Sequence, residues 1–129
     1  MTHSIGYANI IFGWCWINIG FIMGMVIGMK FEKANWLGGY ASWERRMLRL
    51  SHVAFIFLSI LNIVYGHELM NVNLSETWKQ AGSILIIIGA IGIPVIVFIA
   101  AFYKKILYYL AIPIIALTAS TIIMAIGYL

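Results

Sequence analysis

The sequence predicts an all-α fold: an integral membrane four-helix bundle of two antiparallel transmembrane hairpins, with both termini on the non-cytoplasmic side. Three observations lead there. First, 64% of the 129 residues are hydrophobic and only 9% are charged, with a mean hydropathy of +1.00. Eight basic and four acidic residues cannot cover the surface of a water-soluble domain of this size. Second, residues 2–29, 50–66, 80–103 and 106–129 contain no Asp, Glu, Lys or Arg, and a helix needs roughly 20 residues to cross a hydrocarbon core. Third, seven of the eight basic residues fall between runs one and two or between runs three and four.

The chain is expected to be a single domain, 1–129, with spans at about 5–29, 48–67, 80–103 and 106–128. The first run lacks the basic start and small-residue cleavage site of a secretory signal, so it is expected to be a retained helix. It carries Gly20, Gly24 and Gly28, a GxxxGxxxG run that lets another backbone approach closely. The partner on that face is expected to be a helix of this chain, another membrane subunit or a second copy. The single Cys15 lies in the same run, is expected to act as a small packing residue, and allows no internal disulfide.

The second run has 17 uncharged residues and reaches span length if Arg49 extends towards the headgroups. Ser42 before Trp43 and Glu44 reads as an N-cap with an acid in the first turn. Thr77, Trp78, Lys79 and Gln80 read as a capping box opening the third helix. Lys104 and Lys105 alone separate the third and fourth runs, so these must be antiparallel neighbours. Pro94 and Pro113 lie mid-run and are expected to bend their helices.

Charge sets the orientation. Lys30, Lys33, Arg45, Arg46 and Arg49 share a side with Lys104 and Lys105, against Lys79 alone on the other. Positively charged loops stay cytoplasmic, so the termini face outward, and the lipid bilayer accounts for the net charge of +4 without invoking nucleic acid. Two aromatic belts agree with those boundaries. Trp36, Tyr40, Trp43, Tyr103, Tyr108 and Tyr109 mark the inner edge, and Tyr7, Tyr65, Trp78 and Tyr128 the outer.

The second helix carries the polar signal. At about 100° per residue, Arg45, Arg49, His52, Ser59, Asn62 and Gly66 fall on one flank. Polar groups are costly against lipid, so this flank should meet protein or a cavity. The simplest use is a hydrogen-bonded seam between helices. A second use is a haem b site. His52 and His67 are 15 residues apart and point broadly the same way, a spacing that resembles b-type cytochrome helices addressing a haem near each membrane face. The resemblance covers one helix, and spans three and four supply no opposing histidine. His3 is then the candidate to meet His67, and Met29, or the His52 of a second copy, to meet His52, with Arg45, Arg46 and Arg49 pairing the propionates. Met23, Met25 and Met29 with Cys15 would suit a soft-metal path in a small transporter.

No catalytic residues are expected. The four acids are Glu32, Glu44, Glu68 and Glu76, all outside the apolar runs, and no triad, phosphate loop or zinc cluster can be composed. The leading expectation is a small non-catalytic subunit or partner of a larger, bioenergetic membrane assembly. A haem-carrying electron-transfer module comes second and a small transporter third. The orientation is directly testable. In a Cys15→Ala background, cysteines at Ser42 and Ser75 should label from opposite sides of sealed vesicles; a Ser42 site reachable from outside would overturn it.

Overall fold

The computed structural model describes the backbone of residues 2–129 and the side chains of residues 5–129. The described residues form four helices and no strands: α1 (Thr2–Phe31), α2 (Trp43–Asn71), α3 (Glu76–Ala100) and α4 (Ala111–Ile126). A short 3-10 turn, Trp36–Gly38, lies between α1 and α2, and a longer one, Lys104–Leu110, leads into α4. With that second turn included, all four segments are long and apolar enough to span a membrane.

Helix starts follow local chemistry, with one correction. Ser42 caps α2 as expected, its hydroxyl accepting from the Arg45 amide at 3.2 Å. The capping box at Thr77 does not form. Ser75 has extended backbone and its carbonyl takes the first helical bond, from the Lys79 amide at 3.0 Å. Helix α3 therefore opens at Glu76, where a carboxylate favours the helix N-terminus, and Thr77 is already inside it.

The fourth span-length segment is not α-helical throughout. Its α-helical part has 16 residues, about 24 Å at 1.5 Å each, too short for the bilayer core. The seven preceding 3-10 residues rise about 2 Å each and bring the length to about 38 Å. Pro113 thus stands in the first turn of the α-helical part, directly after the 3-10 residues, and near the middle of the whole Lys104–Ile126 segment.

Helices α2 and α3 form the central pair. Helix α1 packs along α2 and touches α3, while α4 packs along α3 and reaches α2 through Tyr65. The α1–α2 contact is set by glycines seven residues apart. A β-carbon on Gly6 would overlap the Gly66 carbonyl, one on Gly13 would lie 2.7 Å from the Ser59 carbonyl oxygen, and one on Gly20 would lie 3.2 Å from the Phe55 β-carbon. A seven-residue repeat keeps one stripe of a helix facing its neighbour. Of the expected GxxxGxxxG run, Gly20 and Gly24 are occupied by α2, and Gly28 has nothing within 4 Å. Helices α3 and α4 meet in the same way, Gly89 and Gly92 against Leu117 and Pro113.

Pro94 shows how the interior absorbs a helix breaker. Its ring nitrogen cannot donate to the Ala90 carbonyl one turn earlier. The Trp16 indole N–H of α1 donates there instead, at 2.9 Å, and α3 continues through the proline. Ser51 of α2 donates to the Pro94 carbonyl at 2.7 Å. At the end of α3, the Trp43 indole N–H donates to the Ala100 carbonyl at 2.8 Å, filling one of the acceptors a helix C-terminus leaves open.

Replacing Trp16 with Phe should lower stability in detergent by about 1 kcal/mol, because the Ala90 carbonyl loses its donor. In a Pro94→Ala background the backbone supplies that donor and the loss should largely vanish. Equal losses in both backgrounds, measured as thermal midpoints, would show that the bond does not act through the proline.

Candidate functional site: a buried polar junction and His52

Three helices meet at one polar point. Asn9 of α1 and Asn62 of α2 are fully buried, and Ser83 of α3 is 5% exposed. The Asn9 amide donates to the Asn62 side-chain oxygen at 3.1 Å and to the Ser83 carbonyl at 3.3 Å. The Ser83 hydroxyl donates back to the Asn9 side-chain oxygen at 2.5 Å, and Asn62 donates to the Leu58 carbonyl at 3.0 Å. Asn9 therefore uses both its donors and its acceptor. A second junction lies one turn along α2. Tyr65, buried and lying over Gly82 of α3, donates to the Ser120 carbonyl of α4 at 2.9 Å. Tyr65 thus belongs to the interior, joined by Leu69, Val72 and Ile86, and not to the outer aromatic belt. Tyr7, Trp78 and Tyr128 are exposed at that end.

His52 packs against α1. A β-carbon on Gly24 would lie 2.6 Å from its Cε1 and 3.0 Å from its Nε2, so the absence of a side chain at Gly24 makes room for the ring. The Nδ1 atom is buried and finds no hydrogen-bond partner among the described residues. His67 is exposed near the far end of α2, and Met29 is 62% exposed. Fifteen residues of helix put His67 about 22 Å along α2 from His52, and the side chain of His3 lies outside the described residues. Among the described residues no group of three or more His, Cys, Asp or Glu side chains converges. Cys15 is exposed rather than packed.

The arginines hold the loop before α2. Arg45 is 2% exposed; it donates to the Trp36 carbonyl at 2.6 Å and to that of Lys33, with its guanidinium 5.4 Å and 5.3 Å from the Phe31 and Trp36 ring centres. This clamp stabilises a loop in which Leu37, Gly38 and Gly39 all have positive φ, a conformation costly at Leu37 and easy at the glycines. Arg49 donates to the Tyr40 carbonyl at 3.1 Å and stacks on its ring. Arg46 is exposed and lies over Trp43. Beside this end, between α1 and α3, opens an apolar groove of about 430 Å³. A second hollow of about 280 Å³, which also borders Met23 and Phe98, extends it.

The α2 flank identified Ser59 and Asn62 as interior, and both are fully buried. It did not identify their company. Asn9 and Ser83 are polar residues set in apolar runs, a signal readable in the sequence, but that they meet depends on helix register, and the Ser120 partner of Tyr65 is a backbone carbonyl that no residue type announces. Comparison with known proteins finds no matching family model, curated sequence or solved structure, so the functional reading rests on these side chains.

Substituting Asn9 with Leu strands the Asn62 oxygen and the Ser83 hydroxyl together. Stability in detergent should fall by about 2 kcal/mol; an unchanged thermal midpoint would mean that the junction contributes little.

Proposed function

We propose that this chain is a small, non-catalytic integral membrane subunit of a larger membrane assembly, oriented with its termini outward. One observation carries the reading: interior polar side chains on three of the helices bond across to neighbouring helices. Asn9, Asn62 and Ser83 join α1, α2 and α3, Tyr65 joins α2 to α4, and Ser51 joins α2 to α3. Such groups act as joints that fix helix positions, which suits a part that is held and holds others. The position of the basic residues, seven at one end and Lys79 at the other, supports the orientation.

A second reading, the b-type haem module, has one observation in its favour: the buried Nδ1 of His52 lacks a partner among the described residues. The two readings separate experimentally. A tagged chain extracted from its native membranes in mild detergent should migrate with other membrane proteins in fixed ratio and show no Soret band. Migration as a lone chain would sink the subunit reading. A Soret band that both His52→Gln and His52→Ala abolish would replace it with the haem module.

A further inference from the structure

We infer that α1 pairs with α1 of a second copy of this chain, Asn18 against Asn18, about a two-fold axis along the membrane normal. The inference rests on the membrane reading above and on a face of α1 that the fold leaves outside.

Asn18 is the central residue of the apolar segment Ile5–Phe31, so it lies about 20 Å from either end of it, near the middle of a spanning helix. Its side chain is exposed. One amide hydrogen goes to the Trp14 carbonyl of its own helix at 2.6 Å. The other hydrogen and the side-chain oxygen have no partner among the described residues. At the centre of a bilayer there is no water to supply one, and an unsatisfied amide there is costly. Asn9 gives the contrast within the same helix. It lies nine residues earlier, about 180° around the axis, and every one of its polar groups is bonded inside the bundle.

The surroundings of Asn18 form a continuous seam. Ile11, Cys15, Asn18, Ile22, Met25 and Met29 are spaced alternately by four and three residues, the heptad spacing of paired helices. All six are exposed, Ile11, Ile22, Met25 and Met29 by 58–62%. This row is centred opposite the Gly6, Gly13 and Gly20 row that packs on α2, so pairing there leaves the intrachain packing untouched.

Symmetry selects the occupant. Copies inserted with the same orientation are related by an axis along the normal, and α1 then runs parallel to its counterpart at equal depth. Asn18 meets Asn18. A carboxamide carries both donor and acceptor, so each can donate its free hydrogen to the other's oxygen. A different partner would need its own polar group at that depth, whereas a second copy provides one by construction. A single asparagine in an apolar seam also fixes register and parallel alignment, and Cys15 beside it is small enough for close approach.

Cys15 is a built-in reporter. Carbonate-washed membranes containing the unmodified chain should yield a disulfide-linked dimer on treatment with copper phenanthroline. In a Cys15→Ala background, Ile22→Cys should cross-link and the off-seam Ile19→Cys should not. Asn18→Leu should weaken dimerisation in detergent by about tenfold while leaving the thermal midpoint of the monomer unchanged, and Asn18→Gln should retain it. Loss of the chain in the carbonate wash would defeat the membrane reading itself. Retention in the membrane without a Cys15 dimer, cross-linking only from Ile19, or a Cys15 adduct to a different protein would each overturn the Asn18 pairing.

Discussion

A carboxamide buried among apolar side chains must find donors and acceptors, and that requirement at Asn9 organises this molecule. Four long apolar helices have many ways to lie side by side, because one aliphatic stripe packs nearly as well as another. For helices long and apolar enough to span a membrane, the hydrophobic effect would not distinguish these arrangements in lipid, where a helix face is as apolar outside the bundle as inside. Asn9 removes the ambiguity. Its two donors and its oxygen are satisfied only when Asn62 and Ser83 stand at one level on their own helices. The glycine row of α1 complements this, for α2 can come close enough only where Gly6, Gly13 and Gly20 face it. Polar bonds fix the rotation and depth of each helix, and missing side chains fix the distance.

Much of the fold was legible in the sequence, and the reasons are local. Four uncharged runs announce four helices because span length is a property of one segment at a time. The Ser42 cap was readable because it involves a hydroxyl and an amide three residues apart. What escaped was whatever depended on a neighbour. Gly24 and Gly28 look alike in sequence, yet one cradles His52 and the other has no neighbour. Tyr65 resembles an interfacial aromatic until Ser120 of α4 is found beneath its hydroxyl. Arg45, placed on the polar flank of the second helix, bonds backwards to carbonyls of its own loop, because Leu37 adopts a backbone conformation that its side chain gives no hint of.

The two prolines illustrate how position decides what a residue does. Pro94 lies deep in α3, so the carbonyl it leaves free must be answered from outside the helix, and the Trp16 indole answers it. Pro113 lies where the 3-10 residues give way to α4, and its ring meets Gly92 across the interface. The first residue ties two helices together through a vacancy; the second does so through its bulk. Neither effect follows from hydropathy, and both act on α3, one joining it to α1 and the other to α4.

The placement of α1 and α4 on the central pair has a consequence for synthesis. Chains emerge from the ribosome N-terminus first, so α1 and α2 can zip together along their glycine row as soon as both are out. Asn9 must then wait. Its partner Ser83 arrives 74 residues later, and until α3 packs against the pair, the Asn9 amide has only Asn62 to bond. Nascent α1 and α2 therefore form a half-built socket that α3 completes, and α4 latches last, over the Tyr65 hydroxyl. The interval between the second and third helices is thus the one in which the Asn9 side chain still lacks its bonds to Ser83.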